Sequence, residues 1–133
     1  MDDLRRALGA FIAAHSAGIA AVYLFGSEAR GTARAGSDLD LGVLFDEPPR
    51  RALMGPLATL QAALEQALQR KVDLIDLHHA PVDLVHRVMR DGHLVFEGDR
   101  ARRVAFEVAR RNEYFDLLPF LERYRRVAHS GRA

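Results

Sequence analysis

At 133 residues, the chain is long enough for one domain with a hydrophobic core and too short for two. Its 49% hydrophobic and 28% charged content is typical of a globular protein, and the absence of cysteine excludes disulfides, zinc–thiolate sites and thiol nucleophiles. No apolar run approaches the roughly 20 residues of a membrane span, and two acids follow Met1 where a signal peptide would be basic. We therefore expect a cytoplasmic protein without a membrane anchor.

The net charge of +1 is unevenly distributed along the chain. Residues 1–99 hold 10 basic and 14 acidic side chains, whereas residues 100–133 hold 9 arginines and 4 acids. A basic tail on an acidic body indicates either a partner or anionic ligand for the tail, or a solvated helix face in an arginine-rich protein. The sequence leaves both interpretations open.

Apolar spacing predicts helices and strands that alternate through the first half of the chain. In order, these are an amphipathic helix over 2–15, a buried strand over 20–25, a short helix from 28, a loop over 31–36 and a strand over 39–45.

The second half continues with a helix over 57–69, a strand over 71–77, a helix over 81–90 and a strand over 93–96. Asp99 is a plausible N-cap for a long final helix, which Pro119 should break or kink. We expect the apolar side chains of this helix, including Phe115 and Tyr124, to lie mostly in the core, and the part beyond Pro119 to be a candidate partner surface.

These alternating elements predict an α+β (α/β-like) domain with a small mixed β-sheet. We expect a core over residues 1–98 and a C-terminal helical extension over 99–133 that packs on it, as a single domain overall.

The most informative motif is Gly26-Ser27, followed after ten residues by Asp38-x-Asp40. Positions i and i+2 of an extended strand face the same side, so the two carboxylates can converge on a hard cation such as Mg²⁺. Glycine allows a ligand to approach the backbone closely, and the start of the next helix offers N–H groups to an anion. The motif therefore predicts a phosphate cradle beside a metal site.

A third carboxylate is expected from the strand over 71–77, which carries Asp73 and Asp76. Because the two are three positions apart, they face opposite sides of the sheet, and only one can join Asp38 and Asp40. We favour Asp73, which lies near the start of the strand, and keep Asp76 as the alternative.

Other polar side chains near the motif have more than one interpretation. Arg30 either reaches a phosphate or pairs with Asp38 or Glu28, and Ser37 either caps the strand entry or orients Asp38. Three histidines have no spacing typical of a zinc site and are interpreted as surface or helix residues. They are His78, His79 and His86.

The segments 26–31 and 37–41 together resemble the signature of the DNA polymerase β-like nucleotidyltransferase superfamily, and 71–77 is similar to its third-carboxylate strand. The shortness of the chain resembles the minimal nucleotidyltransferases (MNT), and 109–116 is similar to the tail of MNT antitoxins paired with HEPN toxins. This resemblance implies a polymerase β-like fold with a long C-terminal helical tail.

The same resemblance implies a transfer of AMP from ATP that depends on two Mg²⁺ ions. Asp38 and Asp40 would hold both ions, and Asp73 would share the one that activates the attacking hydroxyl. Gly26 and Ser27 would hold the β- and γ-phosphates, with Arg30 as a further phosphate contact.

A HEPN ribonuclease toxin is the partner that the resemblance implies, with one of its tyrosines as the acceptor and a hetero-oligomer as the assembly. Two alternatives remain: a binding antitoxin that occludes the toxin without catalysis, and an enzyme acting on a small acceptor such as an aminoglycoside. Direct nucleic-acid binding is not expected, because the tail lacks the aromatic pattern of single-strand binders and the acidic body would repel a duplex.

Overall fold

The computed structural model describes residues 2–15, 17–34, 36–48 and 55–130. Position 35 of the predicted loop and the last three residues of the predicted extension lie outside these ranges. The helices are α1 (Asp2–Ala14), α2 (Gly26–Arg30), α3 (Gly55–Leu68), α4 (Val82–Asp91) and α5 (Arg100–Ser130). The strands are β1 (Ile19–Phe25), β2 (Leu39–Phe45), β3 (Val72–Asp76) and β4 (His93–Glu97).

The four strands form one mixed sheet in the order β3-β2-β1-β4. Strand β1 pairs antiparallel with β2 and β4, while β2 pairs in parallel with β3. The predicted mixed α+β architecture is therefore confirmed. The end of β1 lies beside the start of β2, and the start of β3 lies on the other side of β2. These three strand ends therefore meet at one edge of the sheet.

Side chains alternate along every strand, so each strand presents apolar residues to both faces of the sheet. Two helices cover each face. On one face, apolar residues of α1 and α3 pack against Val22, Leu41 and Leu74. On the other, α4 and α5 contribute buried side chains that pack against Tyr23 and Leu44. The two faces are therefore distinguishable residue by residue, which fixes where each carboxylate points.

Residues near the start of α5 hold this helix to the sheet. The Tyr23 hydroxyl donates a hydrogen bond to Glu107 at 2.6 Å, and burial together with that carboxylate raises the pKa of Tyr23 above its ordinary value. Arg103 bridges Glu97 of β4 and Glu107 with two contacts of 2.9 Å. Phe106 is buried in the same region. This network ties α5 to β1 and β4.

The expectation that the apolar side chains of the final helix lie mostly in the core is wrong for its outer part. Phe115 is 55% exposed and Tyr124 is 74% exposed, and Val127 is exposed as well. The reason is length: 31 helical residues extend about 46 Å, roughly twice the length of a seven-residue strand. Most of α5 therefore has no sheet to cover.

Of the predicted break or kink at Pro119, the break is wrong, because α5 continues through Pro119 to Ser130. A proline lacks the N–H that would bond to the carbonyl four residues earlier. Here that carbonyl belongs to Phe115, and residues around it are exposed, so water can take the place of the missing donor. Among the described helices, none is long and apolar enough to span a bilayer.

Candidate functional site

The predicted site residues come from three chain segments that the sheet brings to one edge. Phe25 at the end of β1 is in register with Asp40, and Asp40 is in register with Asp73 of β3. Asp38 lies one residue before β2 begins. Gly26 follows Phe25 directly and starts α2, so the glycine is placed beside Asp40 by strand pairing.

Gly26 approaches the Asp40 carboxylate so closely that no side chain fits between them. Its φ of +75° lies in the left-handed region that favours glycine, and an added Cβ would be 2.2 Å from Oδ2 of Asp40. The sequence motif predicted a close backbone approach to a ligand. The structure shows that the same glycine also makes room for the carboxylate.

Asp73 and Asp40 share the sheet face that is covered by α4 and α5. Asp40 is four residues before Leu44 and Asp73 is two residues before Ile75, so each carboxylate shares its face with an apolar residue of that cluster. Asp73 is exposed, so its carboxylate is available to a ligand. Because Phe25 is in register with Asp40, Gly26 lies beside this pair.

Asp76 lies on the opposite face, with Val72 and Leu74, and is buried. Its carboxylate accepts a hydrogen bond from the backbone N–H of His78 at 3.0 Å and contacts Nδ1 of His79. These contacts give Asp76 a local structural role, closing the turn between β3 and α4. The geometry therefore favours Asp73 over Asp76 as the third carboxylate.

Exchanging each of these two carboxylates for an amide should separate activity from stability. Asp73→Asn is expected to reduce any metal-dependent activity of this site at least about 100-fold. Stability should change little, because the Asp73 carboxylate is exposed. Asp76→Asn is expected to lower the free energy of unfolding by about 1–3 kcal/mol, because a buried charge-assisted hydrogen bond is weakened, while the folded fraction keeps its activity. Urea unfolding and initial rates measure both effects, and the reverse pattern would assign the third carboxylate to Asp76.

The carboxylates at this edge repel one another in the protein alone. Burial raises the pKa of Asp40 above its ordinary value, and the negative charges of Asp73 and Asp38 raise it further, while Arg30 opposes the shift. Lys71 places Nζ at 4.0 Å from Oδ2 of Asp38, a contact that the sequence motif did not single out. The excess negative charge makes the edge attractive to a cation.

An oxygen-only donor set of this kind suits Mg²⁺, which is usually held by one or two carboxylates together with water and substrate phosphates. In the ranges that the structure describes, no group of three or more acidic, histidine or cysteine side chains is arranged to hold a metal ion. Asp40 and Asp73, in register on neighbouring strands, offer two oxygen ligands, and a bound Mg²⁺ would take its others from water and substrate oxygens.

Replacing Asp40 by asparagine is expected to stabilise the metal-free protein at neutral pH. The pKa of Asp40 is raised in the folded state. Below the ordinary aspartate pKa of about 4, the carboxyl is neutral and does not destabilise the fold. The folded state loses stability as the pH rises from there through the raised pKa, because the carboxyl becomes charged. Asp40→Asn removes that loss.

The gain should be a few tenths to about 1 kcal/mol, because the group is only partly buried and its charge is screened. Urea unfolding in the presence of a chelator should show this gain at pH 7 and no gain near pH 3.5. A neutral-pH loss of stability would contradict the repulsion.

The remaining predicted residues surround the carboxylates without joining them directly. The backbone oxygen of Ser27 accepts a hydrogen bond from the N–H of Thr32 at 2.9 Å, which closes the first turn after α2. Ser37 exchanges hydrogen bonds with Arg34, its hydroxyl accepting from the Arg34 N–H at 2.9 Å. Arg30 is exposed, and its charge opposes the rise in the pKa of Asp40. The hydrogen bond from Arg90 is the main cause of the lowered pKa of Asp91, and the charge of Arg30 contributes less. Arg30 is thus close enough to the edge to act on an anion there.

Glu28 pairs with Arg70 at 2.8 Å rather than with Arg30, so this alternative for Arg30 is wrong. Arg70 also donates to the backbone oxygen of Ser37 at 2.8 Å. Sequence reasoning missed Arg70, although its position just before the third-carboxylate strand was a usable signal.

His78 and His86 have contacts away from the three predicted site carboxylates, whereas His79 contacts Asp76. Nε2 of His78 lies 2.9 Å from the Phe45 carbonyl oxygen, and its ring meets the edge of Phe106. The His86 ring stacks on Tyr114 with the ring centres 3.6 Å apart. These contacts give the histidines packing roles between the sheet, α4 and α5.

Comparison with known proteins adds a family and several similar structures. The family model for polymerase β nucleotidyltransferases matches residues 10–101. A curated relative from Aphanizomenon flos-aquae, the protein adenylyltransferase MntA, is 33% identical in a match that covers 56% of this chain. The match covers 54% of MntA, so the chain spans about half the length of this curated relative.

Solved structures extend the similarity to most of the chain. A toxin–antitoxin structure with AMP-PNP aligns with a TM-score of 0.68 and 26% identity, over 87% of this chain and 88% of the other. A complex of the MNT antitoxin with a tri-AMPylated HEPN toxin from Shewanella oneidensis aligns with a TM-score of 0.62 over 87% of this chain and 85% of the other. At 24% identity, the second structure supports the fold alone.

Proposed function

Because this chain belongs to the polymerase β nucleotidyltransferase family, we propose that it transfers AMP from ATP to a tyrosine of a cognate HEPN ribonuclease toxin and so acts as its antitoxin in the cytoplasm. The main observation behind this proposal is the close approach of Gly26 to Asp40, with Asp73 in register beside it. The name of the adenylyltransferase relative and the similar toxin–antitoxin structure with AMP-PNP support the choice of nucleotide and partner.

The proposed chemistry is an in-line displacement at the α-phosphorus of ATP. The tyrosine hydroxyl oxygen forms the new P–O bond, its proton goes to solvent, and pyrophosphate leaves. Gly26 and Ser27 would hold the β- and γ-phosphates, and Arg30 would contact a phosphate oxygen.

Three carboxylates would hold two Mg²⁺ ions at this edge: Asp38, Asp40 and Asp73. When bound there, Mg²⁺ supplies stabilisation of charge on the attacking and leaving oxygens. The three carboxylates would hold the ions beside Gly26, next to the backbone that would hold the nucleotide phosphates.

The test is an incubation of this protein with labelled ATP, Mg²⁺ and the proposed cognate HEPN protein. We expect one or more labelled AMP groups on a tyrosine of the HEPN protein, identified by mass spectrometry, together with loss of its ribonuclease activity. A bound pair without any label would refute the proposed transfer. Label on an antibiotic and none on protein would favour the small-acceptor alternative.

A binding antitoxin without catalysis is the second candidate, and the exposed apolar face of α5 is the observation in its favour. Phe115, Phe120 and Tyr124 are all more than half exposed. An Asp38→Ala/Asp40→Ala double variant decides between the two, expressed at the native level beside the toxin. Full protection of the cells by this variant would show that occlusion is sufficient.

A further inference from the structure

Residues 70–72, just before and at the start of β3, contact the other segments that carry the site residues. The backbone oxygen of Lys71 accepts a hydrogen bond from the N–H of Leu39 at 3.0 Å, which starts the pairing of β2 with β3. The N–H of Val72 donates to the Glu65 carboxylate of α3 at 3.0 Å. The start of β3 is therefore fixed by its neighbours on both sides.

The Arg70 side chain extends this connection to the phosphate element. Its Nη2 is 2.8 Å from Oε1 of Glu28 in α2 and 2.8 Å from the backbone oxygen of Ser37, the residue before Asp38. The Arg70 and Glu28 side chains are 27% and 18% exposed, so the pair is partly shielded from solvent. A single guanidinium nitrogen thus links the helix that follows Gly26 to the chain that presents Asp38.

We propose that Arg70 is a positioning residue that couples the nucleotide-phosphate element of α2 to the metal carboxylates, so that Mg²⁺ and nucleotide bind cooperatively. This inference rests on the proposed function, because it assigns a role within the same site. Arg70 contacts neither substrate nor metal in this role, and it acts through Glu28 and the Ser37 carbonyl.

The connection from α2 to β2 contains two glycines with positive φ, Gly31 and Gly36, and neither has an atom within 4 Å of an added Cβ. Packing around these glycines therefore does little to set the distance between α2 and Asp38. Mg²⁺ requires nearly ideal octahedral geometry, so a small displacement of the phosphates from the carboxylates weakens simultaneous coordination. The Arg70 bridge limits that displacement.

The test measures binding of a non-hydrolysable ATP analogue to the chain alone by calorimetry, with Mg²⁺ and with a chelator. Mg²⁺ is expected to tighten nucleotide binding at least about tenfold in the unaltered protein. Arg70→Met is expected to remove most of that enhancement, while metal-free nucleotide affinity changes less than about twofold. Mn²⁺, which tolerates less regular geometry, should restore part of it.

Arg103→Met is the matched control. Arg103 also bridges two elements, with contacts of 2.9 Å to Glu97 and Glu107, but it anchors α5 rather than the site. This variant should lose stability and keep the full Mg²⁺ enhancement. Glu28→Ala should reproduce the effect of Arg70→Met, and the double variant should be no worse than either, because both remove the same bridge.

The outcomes separate this inference from the proposed function. Full Mg²⁺ enhancement in folded Arg70→Met and Glu28→Ala variants would overturn the coupling role and leave the proposed transfer intact. The absence of any Mg²⁺ enhancement in the unaltered protein would overturn both. If Arg70→Met does not fold, the Glu28→Ala variant gives the decision by itself.

Discussion

Replacing Asp38 and Asp40 together by asparagine is expected to reduce the proposed AMP transfer at least about 1,000-fold while the chain stays folded. The two carboxylates would provide most of the metal-binding charge at the edge of the sheet. Loss of about 4 kcal/mol of transition-state stabilisation corresponds to three orders of magnitude in rate. Stability should not fall, because the folded protein loses repulsion among Asp38, Asp40 and Asp73.

The measurement is the initial rate of labelling of the proposed HEPN partner at saturating ATP, alongside urea unfolding of this protein alone. Asp46→Asn is a matched control, because Asp46 directly follows the other end of the same strand, where its N–H donates to the Gly18 carbonyl. This control should keep its activity within about threefold. A double variant that labels the partner at more than a tenth of the normal rate would exclude the carboxylates as the main metal ligands.

Replacing Gly26 by alanine is expected to reduce AMP transfer about 100-fold at a modest cost in stability. The new Cβ would lie 2.2 Å from Oδ2 of Asp40 and 3.1 Å from Cγ of Asp40, so the Asp40 carboxylate must turn away from its position. A displacement of about 1 Å in a reacting geometry costs on the order of 100-fold in rate. The positive φ adds about 1–2 kcal/mol of backbone strain.

Gly31→Ala separates the strain from the collision. Gly31 has a φ of +72°, close to that of Gly26, but an added Cβ there meets no atom within 4 Å. Both variants should therefore lose a similar free energy of unfolding, about 1–2 kcal/mol, and only Gly26→Ala should lose most of its activity. Equal losses of activity in the two variants would mean that backbone strain in α2, not the displacement of Asp40, is responsible.

The sequence alone was sufficient for the elements that carry the motif. Apolar runs over 20–25 and 39–45 and the turn chemistry of Gly26-Ser27 are local features, and the strands appear within about a residue of the predicted bounds. The choice between Asp73 and Asp76 was limited to two residues by strand alternation. Only the parallel pairing of β2 with β3 placed Asp73 beside Asp40 and Asp76 among buried residues.

Two expectations about α5 were wrong because they depend on what surrounds the helix in the fold, which local sequence patterns do not specify. Helical spacing of Phe115 and Tyr124 predicts an apolar face, but it does not say whether anything covers that face. The sheet is too short to reach the distal part of α5, so these side chains are exposed. The predicted break at Pro119 also depended on surroundings, since exposed helix backbone can exchange one lost hydrogen bond for water.

By itself, the sequence determined which residues can do chemistry here: a glycine–serine turn and acidic side chains at fixed spacing on predicted strands, because backbone periodicity is a local property. The tertiary structure decided which of them meet. Contacts between residues far apart in the chain, such as Gly26 with Asp40, Asp40 with Asp73, and Arg70 with Glu28 and Ser37, follow from strand order and loop geometry. Those depend on how the whole chain buries its apolar surface, and a motif of a few residues does not specify that.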